Sequence, residues 1–216
     1  MRKATLIGLF ALLNLFSNYT VAQEVAITER GDSVVLFSNG TWDYYDNYYS
    51  GTEEVEEIRM NEKEFTKPKS SAKKINGMNN AYEVWYNDKV WKRIPVGDIN
   101  PDADLALQLI NGDVYAMVIY EEIEMPFENL AQIALDNALN AAADIKLVDK
   151  EYRVVNNDTL ICMRMDGTAQ GMKIAYYSYY FSNEKGSIQF HTFTGQNLID
   201  KYKNEIDDLL NGLITD

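Results

Sequence analysis

The sequence predicts an α+β domain: an antiparallel sheet covered by two helices in an α/β/α sandwich, preceded by a small β-hairpin element. Three observations carry this reading. Short aromatic and β-branched runs recur between turn signals from residue 82 to residue 194. Two stretches, one opening at Pro126 and one at Leu198, space their apolar residues with helical period. Asn-Gly pairs at 39–40 and 111–112 supply the dipeptide that type I′ hairpins favour.

The N-terminus reads as a targeting segment over residues 1–22. Met1-Arg2-Lys3 is basic, Ala4 to Leu15 is apolar, and Thr20-Val21-Ala22 places small residues before a cleavage point. The apolar run is shorter than the roughly 20 residues a bilayer span needs. Export to the periplasm or the extracellular space follows, with no membrane span after cleavage. The only Cys is Cys162, which excludes a lipid-anchored Cys at that point and any disulfide framework within the chain.

Residues 23–50 form the hairpin element. Val34 to Phe37 is a strand signal, Asn39-Gly40 the turn, and Trp42-Asp43-Tyr44-Tyr45 the return strand. The stretch from Gly31 to Tyr44 resembles a short segment common near the N-termini of exported Bacteroidota proteins. Residues 51–80 read as a charged linker: Glu53, Glu54, Glu56 and Glu57 precede Lys63, Lys67, Lys69, Lys73 and Lys74, with few large apolar residues among them.

Residues 81–216 carry the regular pattern. Strands are predicted at 82–86, 90–94, 105–110 and 114–119, the third and fourth joined through Asn111-Gly112. Pro126 then opens a helix where its missing N–H is harmless. Leu130, Ala131, Ala134, Leu135, Ala138, Leu139 and Ala142 make one helical face suited to lie on a sheet. Four further strands follow at 146–155, 159–165, 172–181 and 187–194. Leu198, Ile199, Tyr202, Ile206, Leu209, Leu210 and Leu213 close the chain as a second amphipathic helix.

This order resembles the PsbP-like fold. The features that carry the resemblance are Trp85, Trp91 and Pro95 around the early strands, Tyr115 to Ile119 leading to the Pro126 helix, and the corner Glu151 to Asn157. The Tyr176 to Phe181 strand, the Gly186 turn, Gln189-Phe190 and the closing helix complete it. The corner in such domains commonly reads Asn-Gly; here Asn157 stands for Gly, and Asn also tolerates a left-handed backbone. The resemblance implies a non-enzymatic accessory or binding subunit and transfers no binding residue.

Composition narrows the chemistry. A net charge of −13 argues against nucleic acid and anionic lipid surfaces as partners, because phosphate recognition needs a basic footprint. One His and one Cys exclude multi-His metal sites and Cys-based zinc cages. Asp98, Asn100, Asp102 and Asp104 have the alternation that opens a calcium loop, but Ala103 stands where Gly is needed and Leu109 where a bidentate Glu belongs. No cofactor is expected, with calcium on this loop as the alternative. His191 has no Gly-x-Ser-x-Gly elbow to serve and reads as a half-exposed strand side chain, and Cys162 lies in an apolar strand as a structural thiol. Glu121, Glu122 and Glu124 read as a solvated rim. The aromatic cluster Trp42, Tyr44, Tyr45, Tyr48 and Tyr49 either packs the hairpin or offers flat faces to a sugar or a partner chain. The function expected is an exported, non-catalytic accessory or binding protein that engages an envelope protein. The alternative is a small carboxylate-dependent hydrolase or a glycan-binding module acting on envelope polymers.

Overall fold

The structure is a computed structural model that describes residues 24–28, 30–36, 41–45, 58–142, 144–169 and 171–215. The expected signal peptide therefore lies outside the described residues. The chain divides into two units, residues 14–57 and a larger one whose described part begins at Ile58.

The smaller unit is a three-stranded antiparallel meander of β1 (Glu24–Ile27), β2 (Ser33–Leu36) and β3 (Trp42–Tyr44). The first strand is one more than the hairpin expected. Its turn into β2 is closed by Thr28, whose N–H donates to the Asp32 carbonyl at 2.9 Å, with Gly31 at φ +87°. A two-residue Asn39-Gly40 turn would pair Leu36 with Asp43. Leu36 instead pairs with Trp42 and Val35 with Asp43, so five residues separate the paired ends.

In the larger unit, eight strands form one sheet in the order β4-β10-β11-β12-β13-β9-β8-β7. They are β4 (Arg59–Phe65), β7 (Trp91–Arg93), β8 (Leu105–Leu109), β9 (Tyr115–Glu121), β10 (Lys146–Val155), β11 (Asp158–Ala169), β12 (Met172–Asn183) and β13 (Gly186–Gly195). A small sheet, β14-β6-β5, combines β5 (Lys73–Asn76), β6 (Glu83–Tyr86) and β14 (Leu213–Ile214). The helices are α1 (Phe127–Ala141) and α2 (Lys203–Leu210).

The α+β class holds, but the large sheet is mixed rather than antiparallel, because β4 runs parallel to β10. The same strand corrects the expected linker at 51–80: residues 59–65 and 73–76 are strands of the larger unit. Composition concealed them for a physical reason. An edge strand buries little, and charged side chains along it deter pairing with other chains. In β4 only Phe65 is buried.

Strand alternation sends side chains to two faces. On one, Leu160, Cys162, Ala175, Tyr177, Tyr179 and Phe190 meet Ile206, Leu209 and Leu210 of α2 and Val84 of the small sheet. On the other, Ile161, Met163, Met165 and Tyr180 meet Leu130, Ala131 and Ala134 of α1. The remainder of that second face is plugged by Ile99 and Ala103 from the loop between β7 and β8. The two helices thus cover opposite faces, as a sandwich requires. The second helix is shorter than its apolar pattern, because the chain turns at Gly212 and Leu213 pairs with Val84 in β14. A Cβ at Gly212 would run into the Trp85 carbonyl oxygen.

The left-handed hairpin turn sits elsewhere than the Asn-Gly signal suggested. Among the described residues, neither Asn111 nor Gly112 has positive φ, and that loop closes through Leu109 N–H on the Val114 carbonyl at 2.9 Å. Asn156 and Asn157 adopt φ +51° and +78° between β10 and β11. The Asn156 amide group donates to the Asn211 and Leu213 carbonyls at 2.9 and 2.7 Å, and its Oδ1 accepts the Lys67 N–H at 2.7 Å. One side chain therefore ties the end of β4 to the C-terminal segment. Asn156→Ala is expected to cost about 2–3 kcal/mol, since three part-buried hydrogen bonds lose a partner. Asn157→Gly is expected to gain about 0.5–1 kcal/mol, because glycine meets a positive φ without strain. Urea denaturation of both variants checks the pair; losses of equal size would contradict the assignment of roles.

Candidate functional site

Of the five aromatic candidates, the structure places three. Trp42 and Tyr44 occupy alternate positions of β3 and stand 55% and 43% exposed. Their rings meet edge to face, centroids 5.4 Å apart at 83°. Tyr45, the next residue, is buried and takes no part in an exposed platform. Tyr48 and Tyr49 lie outside the described residues. Two large rings held in water at this geometry present one flat face and one edge, with polar atoms at the rims.

The calcium candidates are not gathered. Asp104 Oδ2 accepts the Tyr82 O–H at 2.5 Å and the Met78 N–H at 2.7 Å. Asn100 Oδ1 accepts the Asp102 N–H at 2.9 Å, which folds the loop on itself. Asp98 and Asp102 are exposed. Among the described residues no three His, Cys, Asp or Glu side chains converge as metal ligands. Asn100 thus holds the loop's own backbone and Asp104 ties it to the 78–82 segment, while Ile99 and Ala103 reach the core.

The His and Cys candidates are withdrawn from water. His191 is buried with Nδ1 3.0 Å from Ser178 Oγ and its ring edge-on to Tyr180 at 5.8 Å. Burial pushes its pKa down to about 4, so the imidazole is neutral at pH 7. Burial pushes the Cys162 thiol up to about 12, far from the thiolate that reactivity needs. Glu121, Glu122 and Glu124 are exposed, and Glu122 accepts from the Asn79 side-chain amide. A cavity of about 50 Å³ lies between the Ser70–Ser71 turn, Trp91 and α2, with Glu205 and Asp208 at its wall. That volume holds a water molecule or two, an order below the clefts that seat substrates.

A polar network that the residue pattern did not reveal fastens α2 to the sheet. Glu151 and Arg153 alternate on the same side of β10 and pair at 2.5 Å, both under 10% exposed. Arg153 also donates to Tyr179 Oη at 3.2 Å, and Tyr179 donates to Asn211 Oδ1 at 2.8 Å. The guanidinium lies 4.6 Å from the Phe65 ring centre and 5.5 Å from that of Tyr177. From β4, Arg59 approaches Glu151 Oε2 to 2.6 Å as an ion pair without hydrogen-bond alignment, and Asn61 donates to Oε1 at 2.9 Å. A sequence signal existed: Glu151 and Arg153 are opposite charges spaced by two residues at the end of a strand that runs into apolar Val154 and Val155. Reading 59–65 as linker removed the partner strand that explains it.

No protein-family model and no curated protein matches the chain. Solved structures do. Cyanobacterial PsbP from Synechocystis sp. PCC 6803 superposes with a TM-score of 0.51 at 15% identity, over 68% of this chain and 94% of that one. LpqN of Mycobacterium tuberculosis, described as involved in cell envelope biogenesis, gives 0.45 at 8% identity over 65% and 88%. The Saccharomyces cerevisiae Ran-binding protein Mog1p gives 0.45 at 7% over 66% and 94%. The likeness is one of fold, and the fold is PsbP-like. Among the described residues no helix is long and apolar enough to cross a membrane.

Proposed function

We propose, taking the PsbP-like fold as premise, that this is an exported, non-catalytic binding protein that engages a protein partner in the cell envelope through Trp42 and Tyr44. The observation that carries the reading is this pair of rings kept in water on a short strand, at a cost that packing them inward would have avoided. The withdrawn state of His191 and Cys162 supports the non-catalytic half, because neither a base near neutral pH nor a thiolate is presented. The basic, apolar and small-residue pattern of residues 1–22 supports export. A second reading, glycan binding, is favoured by the same rings, since an edge-to-face aromatic pair suits a sugar ring as well as a peptide.

The test is affinity capture from native envelopes with residues 23–216 as bait, beside the same chain carrying Trp42→Ala and Tyr44→Ala. The expected result is one protein held by the first bait and released at least tenfold by the second. The double variant should melt within about 2 °C of the parent, because exposed substitutions rarely move stability by more than about 0.5 kcal/mol. Equal recovery by both baits would remove the rings from the site. Retention of oligosaccharide instead of protein would move the reading to a glycan, and turnover of an envelope polymer would end the non-catalytic one.

A further inference from the structure

We infer that the outer face of the β14-β6-β5 sheet, centred on Trp85, docks an acidic segment of a protein partner. The inference rests on residues other than Trp42 and Tyr44 and stands whether or not those rings bind. Val84 points into the core, so alternation along β6 turns Glu83 and Trp85 outward. Lys74 lies directly opposite Trp85 in β5. Its ammonium is 5.6 Å from the indole centre, and the Lys67 ammonium is 3.8 Å from it. Glu83 accepts the indole N–H at 2.8 Å and pairs with Lys74 at 2.6 Å, so a single carboxylate serves both the ring and one of two cations.

These parts are held in place before any partner arrives. The Lys67 backbone is fixed by Asn156, and the indole by Glu83. Two ammonium groups against one aromatic ring gain from it but do not neutralise each other. Cations fixed in this way lose little further freedom on binding. Residues 63–74 contain five Lys and one Glu, in a chain whose net charge is −13. Of these lysines, Lys73 is partnered by Asp88 at 3.8 Å, an exposed pair of little strength.

Magnitudes decide the class of partner. At physiological salt the screening length is about 8 Å, so a carboxylate at this face responds to Lys67, Lys74 and Glu83 rather than to the net charge of the whole chain. A nucleic acid carries a charge every ~1.7 Å of its axis and runs on past so small a patch, onto the acidic remainder. A short acidic peptide segment, with two or three carboxylates, matches the patch and ends where it ends.

The experiment titrates a capped hexaglutamate peptide into the full-length chain with its tryptophan indoles labelled with ¹⁵N. Trp85→Phe assigns its indole signal among the three tryptophans. The Trp85 indole signal is expected to shift saturably, while those of Trp42 and Trp91 stay. Binding should weaken at least tenfold in Lys67→Glu/Lys74→Glu, and severalfold between 50 and 300 mM salt. Lys67→Gln/Lys74→Gln, with circular dichroism to confirm the fold, separates lost charge from lost structure and should weaken binding by a smaller factor. An unmoved Trp85 signal at millimolar peptide would overturn the inference. So would equal binding by the charge-reversed variant. Tighter binding of duplex DNA, inorganic phosphate or phosphatidylglycerol vesicles than of the peptide would likewise overturn it.

Discussion

Acidifying the protein from pH 7 to pH 4 is expected to remove about 3 kcal/mol of stability through His191 alone. The folded imidazole titrates near 4, against an ordinary value of 6.5, because burial disfavours its charged form. Between those values the unfolded chain binds a proton that the folded chain refuses. Stability therefore falls as pH drops from about 6.5 toward 4, and the loss stops once both states are protonated. A displacement of about 2.5 units corresponds to about 3 kcal/mol at 1.36 kcal/mol per unit. Carboxylates titrate in the lower half of this window, so the comparison needs His191→Gln, which cannot charge. Urea unfolding at half-unit steps should show the difference between parent and variant changing by about 3 kcal/mol across the window. Parallel curves would mean that His191 is hydrated in solution.

Arg153→Met is expected to cost about 3–5 kcal/mol, the usual penalty for breaking a buried ion pair from one side. Glu151, 1% exposed, would keep only Arg59 and Asn61 as partners, and Tyr179 would lose a donor. Removing both charges together, as Glu151→Leu/Arg153→Met, should recover more than half of that loss. No buried charge is then left behind, and the Arg59 guanidinium, 59% exposed, returns to water cheaply. A double-mutant cycle by urea denaturation measures the coupling, expected at about 2 kcal/mol or more. Additive losses would show that the network contributes through packing of the long side chains on Phe65 and Tyr177 rather than through charge.

These two residues also show how far the sequence could be read. Cys162 was legible as an interior residue, because it sits among apolar neighbours in a strand, whereas His191, expected at a half-exposed sheet position, is buried with its ring against Tyr180. The network around Arg153 was not legible. It depends on β4 lying beside β10, and a charged edge strand has the composition of a linker. Trp85 was recognised only as a core-type signal. Its lysines come from a turn and a neighbouring strand, brought together by the small sheet and by Asn156. The aromatic candidates were legible as a cluster, but the division between exposed Trp42 and Tyr44 and buried Tyr45 is a matter of how that strand end is packed.

By itself the sequence determined the class of the larger unit, the positions of most strands and of α1, and the left-handed tolerance of the Asn156-Asn157 corner. These depend on local preference and on the two periods, 2 and 3.6, that side chains obey along a strand or helix. Tertiary structure alone decided that the sheet is mixed, that residues 59–65 and 73–76 belong to the domain, and that the last apolar residues form β14 instead of extending α2. Those outcomes turn on pairing between segments far apart in the chain. Backbone hydrogen bonds and shared burial choose the partner there, and neither is written in the composition of one segment.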